Sequence, residues 1–143
     1  METQQIQINR EEAEIFNGES ICKQKFLDLL DEINLPKGLL PLDNLTEVGY
    51  NRTTGFVWLK QKAKTQHKFQ AIGKNVSYDT EVTAFVEKKR MRRLTGVKSK
   101  EILIWATISD IYIDDKDPTK ITFGNPTGIS RSLPVSAFQL QEK

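Results

Sequence analysis

Tyr78-Asp-Thr-Glu-Val-Thr-Ala-Phe-Val-Glu87 is the stretch whose reading decides the fold. Tyr78, Thr80, Val82, Ala84 and Val86 alternate with Asp79, Glu81, Thr83, Phe85 and Glu87, and this period of two predicts a strand with one mostly wet face. On its C-terminal side the chain reads Lys88-Lys-Arg-Met-Arg-Arg-Leu-Thr-Gly-Val-Lys-Ser-Lys100, seven of the 21 Lys and Arg in thirteen residues with no carboxylate among them. We read this segment as the turn of a basic hairpin. It runs into Glu101-Ile-Leu-Ile-Trp-Ala-Thr-Ile108, where Ile102, Ile104, Ala106 and Ile108 predict a second, apolar strand with Trp105 at its middle, covered on both faces. Ile111 and Ile113 fall in the opposite phase, which calls for a bulge near Ser109 and Asp110.

Working outward toward the C-terminus, Asp114-Asp-Lys-Asp-Pro118 and Gly124-Asn-Pro126 mark turns around a strand at Lys120 to Phe123. Leu133-Pro-Val-Ser-Ala-Phe138 reads as a closing strand or helical turn. Toward the N-terminus, Asn51-Arg-Thr-Thr-Gly55 separates Leu45–Tyr50 from Phe56–Leu59 as a hairpin, and His67, Phe69 and Ala71 alternate with Lys68 and Gln70. Leu35-Pro-Lys-Gly-Leu-Leu-Pro-Leu42 forbids helix and needs its leucines buried, a tethered crossover. Before it, Phe26, Leu29, Leu30 and Ile33 recur at helical spacing after a Ser20 cap, and Asn9 with Glu12 predicts a short helix that stops at Asn17-Gly18.

The expected architecture is mainly β with a minor α part: an antiparallel β-barrel or strongly curled sheet with two N-terminal helices. One domain is expected for 143 residues. Its parts are an N-terminal segment 1–19 with a short helix, a domain 20–140 with a helix over 20–34 followed by the barrel, and a tail 141–143. The start, Met1-Glu-Thr-Gln-Gln, carries no basic and apolar leader, one cysteine cannot form an internal disulfide, and no apolar run approaches a bilayer span. Cytoplasmic residence is the expectation, with peripheral membrane contact allowed. Asn44-Leu-Thr46, Asn51-Arg-Thr53 and Asn75-Val-Ser77 match a glycosylation acceptor and read as chance matches in turns.

Catalytic chemistry lacks parts. His67 is the only histidine, and beside Phe69 on a strand it reads as a partly buried structural residue rather than a base. Gly128-Ile-Ser130-Arg-Ser132 has a serine but not the second glycine of a nucleophile elbow. Cys22 near a helix start reads as a small buried hydrophobe. Asp110, Asp114, Asp115 and Asp117 lack the glycine and terminal Glu of a calcium loop, and one His with one Cys cannot close a zinc site. The formal net charge is only +2 and the pI near 8.6, with no nucleic-acid motif, so nucleic acid is disfavoured as a partner.

A binding module needs less. Lys88, Lys89, Arg90, Arg92 and Arg93 are candidates for an anion rim, Arg through bidentate bonds and Lys as a point charge. Trp58, Phe69, Phe85 and Trp105 are candidates for an apolar wall within or beneath the sheet. The ordinary alternative is a solvated hairpin and plain core packing.

Leu35-Pro-Lys-Gly-Leu-Leu-Pro41, Leu94-Thr-Gly-Val-Lys98, Trp105 and Leu133-Pro-Val-Ser-Ala-Phe138 together make the chain resemble the plant family catalogued as domain of unknown function 538, across roughly Ile21 to Phe138. Glu47-Val-Gly-Tyr50 and Phe56-Val-Trp-Leu-Lys-Gln-Lys62 resemble its subgroup associated with trichome development and stress responses. The resemblance implies a compact β-barrel with N-terminal helices. It also implies kinship with lipid-binding bactericidal and permeability-increasing proteins, or binding of chlorophyll-like pigments, and it offers no catalytic motif to carry over. The functional expectation is a non-enzymatic lipid- or amphiphile-binding module, without cofactor or metal, recognising anionic head groups in plant development or stress. The alternatives are a protein-interaction adaptor in growth or stress signalling and, with less support, pigment binding or ester hydrolysis.

Overall fold

The computed structural model describes residues 3–139; the expected tail 141–143 and the first two residues of the N-terminal segment lie outside the described residues. The order is α1 (Gln4–Asn9), β1 (Glu14–Asn17), α2 (Glu19–Glu32), β2 (Leu45–Asn51), β3 (Phe56–Gln61), β4 (Thr65–Phe69), β5 (Lys74–Glu87), β6 (Arg90–Lys100), β7 (Trp105–Thr107), β8 (Asp110–Tyr112), β9 (Lys120–Gly124), β10 (Ser130–Pro134) and a closing 3-10 turn (Val135–Phe138). The strands form one antiparallel sheet in the order β1-β2-β3-β5-β6-β8-β9-β10, with β4 beside β5 and β7 beside β6. The path has two free ends, so of the two expected architectures the curled, open sheet is the one found.

The second helix lies where the apolar spacing places it, with Cys22, Phe26, Leu29 and Leu30 buried. Asn34 follows in the left-handed region at φ 60, and Leu35, Leu39 and Leu40 of the crossover are buried in the same core. The first helix is a correction. It ends at Asn9 instead of starting there, and the residues expected to be helical become β1, paired with β2 from Glu14↔Tyr50 to Asn17↔Glu47. Two forces decide this. Asn9 gives its side chain to the β2–β3 turn: its Oδ1 accepts from Asn51 Nδ2 (3.0 Å) and Thr54 Oγ1 (2.8 Å), so it is not free to cap a helix. Ile15 and Phe16 then point to opposite faces, one packing on each of two apolar clusters.

Those clusters lie on the two faces of β3. Val57 and Leu59 join the main core under α2, while Phe56 and Trp58 join Ile6, with Ala13, Ile15 and Phe85 against them. Trp58 lies so close over Gly49 that a Cβ there would fall 2.1 Å from the indole ring. Its Nε1 donates to Glu47 Oε1 at 2.8 Å, and Arg10 both pairs with Glu47 at 2.7 Å and stands over the indole. Burial works to raise the Glu47 pKa, but the bonds from Trp58 and Arg10 outweigh it and hold the carboxyl below its usual range.

The curl comes from β5 and β6. The first part of β5 pairs with β4 (Lys74↔Phe69 to Tyr78↔Thr65) and the second with β3 (Glu81↔Lys60 to Phe85↔Phe56), so the strand forks between Tyr78 and Glu81. The register toward β6 also breaks between Tyr78 and Thr83. Gln61 closes the fork: its Nε2 donates to the carbonyls of Tyr78 (3.1 Å) and Asp79 (3.0 Å), and its Oε1 accepts from Asp43 N at 3.2 Å. Opposite the fork, Gly96 has φ 81, and a Cβ would sit 2.3 Å from Glu81 O, a conformation and an approach that suit glycine.

Three further expectations are corrected. The basic segment is not a turn: only Lys88 and Lys89 turn, and Arg90–Lys100 is an eleven-residue strand. Its buried residues Met91, Leu94 and Val97 recur every third position, which does not look like a strand until irregular backbone at Arg93 (φ 52) and Gly96 absorbs the extra residues. The bulge expected near Ser109 and Asp110 is carried by β6 instead. Lys98 faces Thr107 and Arg90 faces Tyr112, so eight steps along β6 match five on the facing chain. The apolar run is not a covered core strand. Glu101 N donates to Ile104 O at 2.8 Å, closing a loop, and Ile102, Leu103 and Ile104 are 94%, 87% and 64% exposed. Trp105 is 36% exposed at the start of a three-residue strand, not the centre of the sheet.

Gly96→Ala and Gln61→Leu should each lower stability by about 2–4 kcal/mol in urea unfolding, the first through backbone strain and the second through orphaned carbonyls. Trp105→Ala should cost less than about 1 kcal/mol, a loss typical of an exposed site.

Candidate ligand cavity

Where the sheet curls past the fork it encloses a cavity of about 320 Å³, at the lower end of the size of small-molecule sites. Val76 and Tyr78 of β5, Val97 of β6, Ile108, Ile111 of β8, Phe123 of β9 and Leu133 of β10 build its walls. Leu39 and Leu40 of the crossover and Phe69, Ile72 and Phe138 complete the lining, with the Phe138 ring tilted against both Phe69 (centroids 5.0 Å apart) and Phe123 (5.1 Å). Val76 and Tyr78 of β5, like Val97 and Ser99 of β6, line it two residues apart, as side chains on one face of a strand do.

One polar group is embedded in that wall. Tyr78 is fully buried, and its hydroxyl has no hydrogen-bond partner among the described residues. Burial pushes its pKa far above the ordinary phenol range, so it remains a neutral donor. An unmatched buried hydroxyl is costly to stability.

The exposed lining residues mark the opening. They are Ile104, Thr107, Ile129, Ser130 and Arg131, with the half-buried Lys74 and Glu101 also in the lining. Glu101 ties the opening together: Lys74 Nζ lies 3.2 Å from its Oε2, Arg131 Nη2 3.5 Å from its Oε1, and Ser99 Oγ donates to Oε2 at 3.1 Å. Partial burial works to raise its pKa, but the bonds from Lys74 and Ser99 and the two cations hold it below the usual carboxylate range.

Of the four aromatic residues expected in an apolar wall, only Phe69 lines this cavity. Trp58 and Phe85 belong to the opposite face of the sheet with Phe56, and Trp105 lies outside the lining, its ring under Lys100 Nζ at 5.5 Å. None of Lys88, Lys89, Arg90, Arg92 and Arg93 lines it either. Lys89 pairs with Asp115 (2.8 Å) and Arg92 with Glu87 (2.7 Å). Arg90 stacks over Tyr112 at 4.8 Å, Arg93 stands over Phe85 at 5.9 Å, and Lys88 is exposed. The candidate rim residues thus run from the β5–β6 turn along β6, with Lys89, Arg90, Arg92 and Arg93 engaged with neighbouring side chains and Lys88 exposed.

The residues that sequence reasoning passed over are Tyr78, Lys74, Glu101, Ile129 and Arg131. Glu101 had a signal: it is the only carboxylate between Glu87 and Asp110. His67 is exposed on β4, its ring edge 4.7 Å from Phe69, and not partly buried as expected; no hydrogen bond joins it to Ser130. Cys22 is buried, its thiol donating to Phe16 O at 3.3 Å, and burial pushes its pKa up. The aspartates of the 114–119 turn accept from turn groups: Asp114 from Lys116 N and Asp117 from Thr119 N.

The family model described as "Protein of unknown function, DUF538" matches residues 26–139. The chain belongs to the DUF538 family. The match takes in α2 from Phe26 onward, the crossover and the sheet from β2 to the closing turn, and so every residue of the cavity lining. No curated protein and no solved structure matches the chain.

Glu101→Gln removes the carboxylate that occupies Lys74 and Arg131. It should raise the cavity's affinity for a fluorescent fatty acid about three- to tenfold, with no gain for the corresponding alcohol, in a fluorescence titration.

Proposed function

We propose that this DUF538 protein is a non-enzymatic binding module for a lipid or similar amphiphile. The observation that carries the reading is the cavity itself: a mainly apolar chamber, walled by Val76, Val97, Ile111, Phe123 and Leu133, with two cations, Lys74 and Arg131, at its opening. Apolar walls favour a hydrocarbon or ring system, and the cations favour a carboxylate or phosphate at the exposed end. Head-group recognition is assigned here to Lys74 and Arg131 in preference to Lys88, Lys89, Arg90, Arg92 and Arg93, because the former pair borders the cavity.

The binding reading is preferred to hydrolysis because Ser130, the hydroxyl at the opening, has no histidine hydrogen-bonded to it. The setting proposed is plant development and stress, and it rests on the resemblance of Glu47–Tyr50 and Phe56–Lys62 to the corresponding subgroup. Residence on the cytoplasmic side, with reversible membrane contact, belongs to the same proposal; among the described residues no helix is long and apolar enough to cross a membrane.

Native mass spectrometry of the purified protein should show a co-purifying lipid or pigment mass that persists unchanged on incubation. Ala106→Phe, which fills the cavity from β7, should weaken uptake of a fluorescent fatty acid at least about tenfold while leaving the melting temperature within a few degrees. An empty protein that takes up no fatty acid would overturn the proposal, and steady release of a hydrolysed product would replace it with the esterase reading.

A further inference from the structure

The two loops that frame the cavity opening carry side chains that nothing in the fold uses. Ile102 and Leu103 are 94% and 87% exposed, and Ile129, at the neighbouring β9–β10 loop, is 71% exposed. Ile104 and Ile129 also line the cavity, so the apolar tip and the chamber form one continuous surface. Three consecutive large aliphatic residues on a tight loop are costly in water and contribute nothing to the core. Trp105 follows them, half-turned to solvent under Lys100, an amphipathic ring of the kind that settles at a membrane–water boundary.

The charges around the tip select the partner. Lys100 faces Trp105 and Lys98 faces Thr107 across β6 and β7, and Lys74 and Arg131 both pair with Glu101 at the opening. Asp110 is set back beside Gly124 at the base of the β9–β10 loop. No charged residue lies between Glu101 and Asp110 or between Lys120 and Arg131. An apolar tip inside a cationic collar matches an anionic bilayer surface, which offers hydrocarbon in front and phosphate behind.

We infer that the Ile102–Trp105 tip, with Ile129 beside it, inserts into the interface of an anionic membrane and opens the cavity directly onto the lipid phase. The tip anchors and the cations at Lys98, Lys100 and Arg131 meet head groups. A lipid then moves from the bilayer along Ile104 and Ile129 into the chamber without crossing water. What enters the chamber rests on the lipid-binding reading; the anchoring itself does not.

Flotation with vesicles tests it, using phosphatidylcholine alone and phosphatidylcholine carrying phosphatidylserine. The wild type should float with the anionic vesicles and far less with the neutral ones. Trp105 emission should shift to the blue and be quenched by a bilayer-embedded quencher, while Trp58, fully buried, contributes a constant background. The double variant Ile102→Asp, Leu103→Asp alters no cavity residue, and should lose at least about tenfold in vesicle partitioning with an unchanged melting temperature and unchanged uptake of a fluorescent fatty acid from solution. Flotation of wild type without fatty-acid uptake would count against the cavity reading and still uphold the tip. The inference is overturned if the wild type floats with neither vesicle, or if the double variant floats as well as the wild type. It is equally overturned if Lys89→Gln, Arg92→Gln and Arg93→Gln together abolish flotation while the tip variant does not, or if the tip variant only converts a dimer to a monomer.

Discussion

The fork in β5 is the constraint on which the rest of the molecule depends. The fourteen residues of β5 outrun either neighbour on that edge, so β4 pairs with its first part and β3 with its second. At the junction the carbonyls of Tyr78 and Asp79 take the Gln61 amide as partner, and the opposing strand must yield at Gly96. Backbone groups left unpaired inside a protein cost as much as lost hydrogen bonds, so the fork exists only because these two residues accommodate it. Past it the sheet bends far enough for β9 and β10 to face the start of β5, and the space between becomes the cavity.

The Trp58 lock works on the other face. Gly49 leaves room for the indole, Glu47 accepts its N–H, and Arg10 covers it, so the N-terminal segment is held against β2 and β3. The two segments that resemble a particular subgroup, Glu47–Tyr50 and Phe56–Lys62, contain Glu47, Gly49, Trp58 and Gln61. Their part in this fold is architectural: they set the lock and the fork. The chemistry-bearing groups of the cavity, Tyr78, Lys74, Glu101 and Arg131, lie elsewhere in the chain and come together only through the curl.

Much of the fold was legible because its signals are local. The spacing of Phe26, Leu29 and Leu30 marks a helix face, Asn51–Gly55 marks a hairpin, and the prolines around Leu39 and Leu40 mark a crossover that must be buried. The misreadings have a common origin in local signals that a distant partner overrides. Asn9 and Glu12 resemble a helix start, but the β2–β3 turn captures Asn9 and the strand β2 captures Ile15 and Phe16. Met91, Leu94 and Val97 do not alternate, so their strand was hidden until the bulges at Arg93 and Gly96 restored it.

By itself the sequence determined the mainly antiparallel β class, the second helix, read over 20–34 and found over Glu19–Glu32, the buried crossover and the membership of a family, because each follows from periodicity, turn chemistry or motif over a short span. Only the tertiary structure decided which apolar residues are core and which are surface. Hydrophobicity alone states that a side chain favours leaving water and not what will cover it. Trp58 finds Gly49 on the neighbouring strand and Phe56 two residues along its own, and is buried, whereas Ile102 and Leu103, as apolar as any core residue, fall where the chain reverses and no element passes over them.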